Sequence, residues 1–374
     1  MKKILLICVS SQSVINFRKK LISSLQQENF DVTVVAFDNK YETSITELGV
    51  KFYCVEDNNR STNPLKILSL KKKYKNIIEE VQPDYVVTFM LKPNIFGVLA
   101  AHDKGITNVF SMVEGAGDVF INDSLKWKAI RFVVCRMYKN AFKHSKTVFF
   151  LNNDDKEEFE KRGLVKSEQC TIVHGVGVDL DRFAYKPLKN YKNFLMIARM
   201  LKTKGVFEYC ECARMVKKKY PDAVFDYLGA EGTVTLADIQ EYIDDGSINY
   251  LGTTADVRPY IAECTAHILP SYREGLGLVN VEAGAVGRAS ITGNTIGTKD
   301  TVIDGYNGFL IPIQNAEAIA EKVIWMIENP EQAEQMGKNS RKLVEERFDQ
   351  NVINLKIMNV LLCKETEKSP SMVE

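Results

Sequence analysis

Two glutamates and two glycines lie close together in the second half of the chain, where an apolar run leads into a helical pattern. HILPSY is followed by Arg and then by Glu274, Gly275, Leu276 and Gly277, and the helical pattern LVNVEAGAVG comes next. Glycines between a strand and a helix leave backbone N–H groups free at the positive helix end, which favours a phosphate group. Glu282 lies about two turns further on, placed to accept hydrogen bonds from ribose hydroxyls. The alternative for Glu282 is an ordinary solvated helix carboxylate.

The elements that must position these residues alternate along the whole chain. Runs that are apolar on both faces, such as ILLICV, DYVVTFM, NFLMIA and AHILPS, are separated by amphipathic helical patterns. This pattern predicts parallel sheets covered by helices. Two sets of runs predict an α/β fold of two Rossmann-like, doubly wound domains facing a central cleft. A polar segment at 185–193 places the domains at 1–184 and 185–348, with a C-terminal helix and frayed tail at 349–374.

Composition and charge exclude several classes of protein. The 374 residues are 45% hydrophobic and 26% charged, which excludes a disordered chain or a fibre. The net charge of +1 excludes nucleic-acid binding by bulk charge alone. Residues 1–150 nevertheless carry 22 Lys and Arg against 14 Asp and Glu, which indicates two units with different partners.

Targeting and metal-binding signals are weak. The first apolar run is too short for a signal peptide, and no apolar run is long enough to span a membrane. Eight scattered cysteines and four histidines show no zinc or redox spacing, so reduced thiols in a cytoplasmic protein fit best. The first strand-to-helix turn, VSSQSVINFR, has no glycine, which argues against nicotinamide binding.

The chain strongly resembles the family-4 retaining glycosyltransferases, which have the GT-B fold; the resemblance covers nearly the whole chain and is most specific at residues 193–312. Glu274 and Glu282, with seven residues between them, match the paired-glutamate signature of that family, and TKDTVIDGYNGFLIP matches the loop and strand that follow. Arg199 and Lys204 in IARMLKTKG match the Arg and Lys that hold the donor diphosphate. GVGVDLDRF matches the segment before the interdomain linker.

The resemblance implies a metal-independent reaction with a nucleotide–sugar donor and no cofactor. A bidentate Arg and a mobile Lys stabilise the departing diphosphate. Glu274 is implied near the donor-sugar hydroxyls and Glu282 on the ribose, with the anomeric configuration retained. The implied catalytic residues are Arg199, Lys204 and Glu274, and the implied donor site adds Gly275, Leu276, Gly277 and Glu282. The alternative for the two cations is an ordinary surface role. Asp179-Leu180-Asp181 spells the metal-binding motif of another transferase fold but precedes the linker, so we expect no metal.

The first half resembles bacterial transferases that extend undecaprenyl-diphosphate-linked sugars, N-acetylgalactosaminyltransferases among them. The matching pieces are NFR at 16–18, KPNIFGVLAA at 92–101 and VEGAGDVFI at 113–121. Acceptor-side candidates are therefore Asn16, Arg18, Lys92, Asn94 and Glu114. Glu114 precedes a glycine-rich turn, and a purely structural turn carboxylate is its alternative. Many relatives have a His where this chain has Leu91, so the donor sugar is not carried over.

A basic stretch at 124–146 interleaves cations with apolar side chains, among them Trp127, Ile130, Val134 and Tyr138. This pattern favours an anionic membrane surface, the alternative being a helix packed on its own sheet. The candidate surface residues are Lys126, Trp127, Lys128, Arg131, Arg136 and Lys139. Lysines at 71–73 and 75 widen the basic patch.

The resemblance implies a retaining hexosyltransferase, and with the basic stretch it predicts an enzyme that is peripheral on the inner face of the cell membrane. It is expected to move a sugar, an N-acetylhexosamine, from UDP to a polyprenyl-diphosphate-linked saccharide in capsule, O-antigen or N-glycan assembly. Two alternatives stay open: a UDP-sugar 2-epimerase on the same scaffold, and a non-catalytic nucleotide-sugar-binding protein. A nucleic-acid partner is disfavoured, because the second half is acidic.

Overall fold

The computed structural model describes residues 1–57, 64–115, 117–121 and 124–363. The tail at 364–374 and one position of the VEGAGDVFI match, residue 116, lie outside the described residues. The chain divides into two compact units, and each is described by itself. One comprises Met1–Val176 together with the chain from Ile353 onward, and the other comprises Gly177–Val352. This division falls at Gly177, whereas the sequence-based boundary lies at 184/185, and most of the last helix belongs to the first unit.

The first unit is built on a seven-stranded parallel sheet. Its strands are β1 Lys2–Ile7, β2 Phe30–Ala36, β3 Lys51–Cys54, β4 Tyr85–Phe89, β5 Asn108–Val113, β6 Thr147–Phe150 and β7 Cys170–Ile172. They are ordered β3-β2-β1-β4-β5-β6-β7, so the winding direction reverses between β1 and β4. The helices are α1 Ser11–Phe17, α2 Lys19–Gln27, α3 Glu42–Thr46, α4 Pro64–Val81, α5 Val98–Asp103, α6 Asp118–Ile121, α7 Leu125–Phe142 and α8 Asn153–Lys161, with a π-helical turn at Pro93–Gly97.

The second unit is built on a six-stranded parallel sheet. Its strands are β8 Asn193–Ile197, β9 Val224–Leu228, β10 Asn249–Tyr250, β11 Ala266–Leu269, β12 Ala289–Gly293 and β13 Gly308–Ile311. They are ordered β10-β9-β8-β11-β12-β13, so the reversal falls between β8 and β11. The helices are α9 Val206–Lys219, α10 Leu236–Asp244, α11 Arg258–Glu263, α12 Leu278–Val286, α13 Ala316–Glu328 and α14 Pro330–Arg347. The last helix, α15, spans Gln350–Leu362.

Each sheet is buried on both faces, as the apolar runs predicted. Ile4, Leu5, Leu6 and Ile7 of β1 are all fully buried, although neighbouring side chains in a strand point to opposite faces. Helix α9, at Val206–Lys219, buries Tyr209 and Cys210 against the second sheet. The predicted α/β class with two Rossmann-like units is confirmed.

Candidate functional site

The predicted donor residues gather where the second sheet reverses. In open parallel sheets, ligands bind beyond the carboxyl ends of the strands at this point. Arg199 follows β8 and is exposed, Lys204 ends a 3₁₀ turn further along, and Glu274 lies in the loop after β11. The Lys204 ammonium forms an ion pair with the Glu274 carboxylate, and their side chains are 23% and 16% exposed. The structure therefore brings two of the three predicted catalytic residues into contact.

Close backbone packing fixes the two loops that carry this ion pair. Gly205 has φ +77°, and a Cβ there would lie 2.5 Å from the carbonyl oxygen of Pro270. The Tyr272 N–H donates to the Thr203 carbonyl at 2.8 Å, which ties the Lys204 loop to the Glu274 loop. Gly297 has φ +83°, and a Cβ there would lie 2.3 Å from the carbonyl oxygen of Glu274. A side chain at either glycine would push the loops apart, so the backbone sets the position of the ion pair.

The N-terminus of α12 is the predicted phosphate-binding position. Gly277 is the N-cap residue of α12, with φ 73° and ψ 50°. Among the described residues, no side chain makes a capping hydrogen bond to this end of the helix. The first turn contains no acidic residue, and the Asn280 N–H donates to the Gly277 carbonyl at 2.9 Å, so the positive end of the helix faces the preceding loop without a competing carboxylate in that turn. Gly275 and Leu276 lie in the preceding loop, and Leu276 is only 4% exposed, so it would meet a ligand through its backbone.

Glu282 lies one turn and a half into α12, on the same helix as this phosphate-binding position. Burial raises the pKa of its carboxyl to about 7, and the positive charge of Arg182 partly offsets that rise. An ordinary solvated carboxylate would titrate near 4.3, so Glu282 is not one. A carboxyl that is half-protonated near neutral pH gains stabilisation when hydroxyl donors approach it.

A buried polar network that the sequence analysis missed supports α12. The His267 Nδ1 and the Asn280 Oδ1 lie 2.8 Å apart, and the Asn280 amide donates to the hydroxyls of Thr292 and Thr301 at 3.1 and 3.0 Å. His267 Nε2 accepts the Ile197 N–H at 3.3 Å, so its Nδ1 carries the proton. The network ties α12 to β8, β11 and β12. Its sequence signals are a lone His in AHIL and a lone Asn in LVNVEAGAV.

Two of the acceptor-side candidates form a buried ion pair in the first unit. Arg18, between α1 and α2, pairs with Glu114, which directly follows β5, and their side chains are 4% and 16% exposed. The Arg18 guanidinium lies 4.2 Å from the ring centre of Phe89, at the end of β4. Burial lowers the pKa of Arg18 to about 10, which leaves it charged at neutral pH. The pair therefore sits beyond the carboxyl ends of the strands.

The other acceptor-side candidates are dispersed. Lys92 is nearly buried and pairs with Asp57 at 2.6 Å. Asn94 is fully buried and uses its amide inside the fold, where Oδ1 accepts from Thr88 at 2.7 Å and Nδ2 donates to the Met112 carbonyl at 2.8 Å. Asn16 is exposed on α1. Arg18 and Glu114 are thus the candidates that the structure joins directly.

Helix α7 carries the predicted membrane-surface residues, but its exposed apolar side chains differ from the expected stripe. Tyr138 is 2% exposed and Val134 packs on the core of the first unit, so these members of the expected stripe face inward. Leu125, Phe132 and Val133 are 86%, 65% and 55% exposed instead. The period of 3.6 residues places them on one outer face, and the sequence pattern alone did not show which face packs inward.

The cations of α7 lie mostly on its outer surface. Lys126, Lys128, Arg136 and Lys139 are exposed. Trp127 is half-buried, and Arg131 is half-buried with its Nε donating to the Val119 carbonyl at 2.8 Å. Within the described ranges, no helix combines the length and the apolarity needed to cross a membrane. In those same ranges, no cluster of three or more His, Cys, Asp or Glu side chains is arranged to hold a metal ion.

Both units match known protein families. Residues 3–152 match the model described as glycosyl transferase 4-like, and residues 178–343 match that of glycosyl transferases group 1. The chain is 28% identical to the N,N'-diacetylbacillosaminyl-diphospho-undecaprenol alpha-1,3-N-acetylgalactosaminyltransferase of Campylobacter jejuni, over 91% of this chain and 93% of that protein. It is 25% identical to the UDP-Gal:alpha-D-GlcNAc-diphosphoundecaprenol alpha-1,3-galactosyltransferase of Escherichia coli, over 87% of each.

A solved structure has the same fold. Anabaena Alr3699/HepE in complex with UDP superimposes with a TM-score of 0.80 at 17% identity, over 97% of this chain and all of that one. The two family matches together cover most of the chain, and the Campylobacter relative spans nearly its full length. The chain belongs to the group 1 and 4-like glycosyltransferases and is a hexosyltransferase with the GT-B fold.

Proposed function

We propose that this enzyme transfers an N-acetylhexosamine from UDP to a saccharide carried on polyprenyl diphosphate, with retention at the anomeric carbon. The observation that carries the proposal is the Lys204–Glu274 ion pair beside an uncapped helix N-terminus at the reversal of the second sheet. The relatives in Campylobacter and Escherichia, whose names specify undecaprenyl-linked saccharides, support the acceptor class. We place the reaction in capsule, O-antigen or N-glycan assembly.

The donor-site residues divide the work of the reaction. Arg199 and Lys204 neutralise the diphosphate as the bond between the sugar and the β-phosphate oxygen breaks. The acceptor oxygen forms the new bond to the anomeric carbon, its proton passes to the departing β-phosphate oxygen, and UDP leaves. Without donor, Glu274 holds Lys204; once the diphosphate takes over that cation, Glu274 is free to accept from the sugar hydroxyls. Since these two cations supply the charge, we propose that no metal takes part.

The first test is UDP release from a panel of UDP-sugars, with and without an undecaprenyl-diphosphate-sugar acceptor, in the presence of EDTA. We expect release that requires acceptor, survives EDTA and is lost in Glu274→Ala. Glu317→Ala, an exposed glutamate in the first turn of α13, is the matched control and keeps full activity. Isomerisation of the UDP-sugar without acceptor would instead establish the epimerase, and UDP binding without turnover on any pair would favour a non-catalytic protein.

The pKa of Glu282 predicts how nucleotide affinity depends on pH. The carboxyl has a pKa of about 7 in the free enzyme, and ribose hydroxyls stabilise its ionised form. Binding of UDP therefore lowers this pKa and releases a proton, so affinity rises with pH between about 6 and 8. Calorimetry in buffers of different ionisation enthalpy measures that proton. Glu282→Gln is expected to bind several-fold more weakly at pH 8 and to release no proton; proton release that persists in this variant would contradict the assignment.

We also propose that the outer face of α7 contacts the inner leaflet of the cell membrane. Its exposed apolar residues insert among lipid headgroups, and its exposed cations meet anionic lipids. Such contact would bring the enzyme to a polyprenyl-linked acceptor.

Replacing Phe132 and Val133 with serine together is expected to weaken binding to phosphatidylglycerol-containing vesicles by roughly tenfold or more, because the substitutions remove two exposed apolar groups that the membrane would bury. Vesicle cosedimentation measures the effect. Val352→Ser with Leu355→Ser, on α15, is the matched control, since these side chains are similarly exposed, at 47% and 62%. Equal losses of vesicle binding in the two double variants would show that α7 makes no preferred contact with the membrane.

A further inference from the structure

We propose that α4 and α5 of the first unit form a binding site for the phosphate group of an anionic phospholipid. The site is a pocket of about 440 Å³ on the surface of the unit, separate from the predicted acceptor and donor residues. It is lined by Lys71, Lys72, Lys75 and Asn76 of α4, by Asp103 at the end of α5 and by the adjacent Lys104.

The lining has more positive than negative charge. The lining has four lysines and one carboxylate, Asp103, whose Oδ2 lies 2.8 Å from the Lys71 Nζ and 3.2 Å from the Lys75 Nζ. Lys104 pairs with Glu79 at 2.7 Å, but the Glu79 side chain is 68% exposed, so water screens that pair. A phosphate group, with its several acceptor oxygens, supplies the missing negative charge and matches the three donors of each ammonium.

The fold holds these lysines in place. Leu70, Tyr74 and Ile78 of α4 are buried in the core of the first unit, which fixes the rotation of the helix. Lys71 and Lys75 are four residues apart and so lie on one face, where Asp103 binds both. The lysines are therefore positioned before any ligand arrives, which lowers the entropy cost of binding.

The neighbouring helix indicates a lipid as the source of the phosphate. Helix α5 packs against both α4 and α7, and the ring of His102, in α5, stacks on that of His144, two residues after α7, at 3.6 Å. The lysine pocket thus belongs to the same helical layer as the exposed apolar side chains of α7. A free phosphate ion would need no such apolar neighbour, whereas a lipid headgroup is anchored at an apolar surface. Only this choice of source rests on the membrane contact proposed above.

The test measures binding of the full chain to phosphatidylcholine vesicles with and without phosphatidylglycerol, at constant ionic strength. Lys72→Gln with Lys75→Gln is expected to weaken binding to the anionic vesicles by roughly thirtyfold, in line with the contribution of two basic residues at such surfaces. The matched control is Lys218→Gln with Lys342→Gln, two exposed lysines of the second unit that carry the same charge, and it is expected to bind as the wild type does. Asp103→Asn changes the charge of the pocket in the opposite direction, because it removes the one carboxylate among the lining residues. It is expected to strengthen binding to the anionic vesicles several-fold.

Three results would overturn the proposal: unchanged binding in the pocket variant, an equal loss in the control pair, or weaker binding in Asp103→Asn. Saturable binding of inorganic phosphate by the wild type, lost in the pocket variant while vesicle binding is unchanged, would assign the pocket to free phosphate instead. UDP release with a short-chain acceptor, without vesicles, is expected to be the same in all these variants. A failure of the proposed transfer reaction would appear in that assay, and a failure of the lipid site would appear only with vesicles.

Discussion

Replacing Lys204 with methionine is expected to lower kcat by roughly 10²- to 10³-fold, the loss that follows removal of one preorganised donor from a developing anion. The structure supports an effect of this size, because the Lys204 ammonium is held in the ion pair with Glu274 and is only partly exposed. Charge on the diphosphate grows as the bond to the sugar breaks, so the interaction is strongest in the transition state. Single-turnover UDP release with saturating donor and acceptor measures the chemical step directly.

The matched control for this prediction is Lys202→Met, because Lys202 lies in the same 3₁₀ turn but is exposed. We expect it to keep nearly full activity. Lys204→Arg restores the charge and is expected to recover part of the rate, although its planar group fits the Glu274 contact differently. If Lys204→Met raised only the KM for donor and left kcat unchanged, Lys204 would contribute to ground-state binding rather than to catalysis.

The sequence predicted the parts of this enzyme that depend on local pattern. Strands buried on both faces leave continuous apolar runs, so the class of fold could be predicted. The resemblance to the family-4 glycosyltransferases, rather than local pattern, selected Arg199, Lys204 and Glu274; local pattern adds that they lie in loops after predicted strands. Loops that follow parallel strands lie at the same edge of the sheet. The pairing of β8 with β11 brings these loops together.

Contacts that depend on tertiary packing could not be predicted in this way. Lys204 and Glu274 are 70 positions apart, and no local pattern states that they pair. The buried Asn94 looked like a ligand-binding residue, since its use by Thr88 and Met112 becomes visible only once β4 and β5 are adjacent. The exposed face of α7 could not be predicted either, because apolar residues lie around most of that helix and packing decides which of them remain exposed.

The second large effect is expected at the Arg18–Glu114 ion pair of the first unit. Removing one partner of a buried pair leaves an uncompensated charge in a poorly solvated site. This typically lowers the free energy of unfolding by about 3–5 kcal/mol. Arg18→Met is expected to have this effect, because its guanidinium is 4% exposed and also stacks on Phe89. Urea unfolding, followed by a probe in the first unit, measures the loss.

A double-mutant cycle separates the charge effect from the loss of packing. Arg18→Met combined with Glu114→Gln removes both charges, so it is expected to be more stable than Arg18→Met alone, and additive losses would show that the two residues do not interact. Glu114→Gln also tests the acceptor role, since a carboxylate that orients the acceptor hydroxyl predicts a higher KM for the lipid-linked acceptor with unchanged affinity for UDP. A change in UDP affinity instead would place the effect of Glu114 on the donor. An unchanged acceptor KM would leave the ion pair a purely structural role, in which Arg18 and Glu114 hold the ends of β4 and β5 in position.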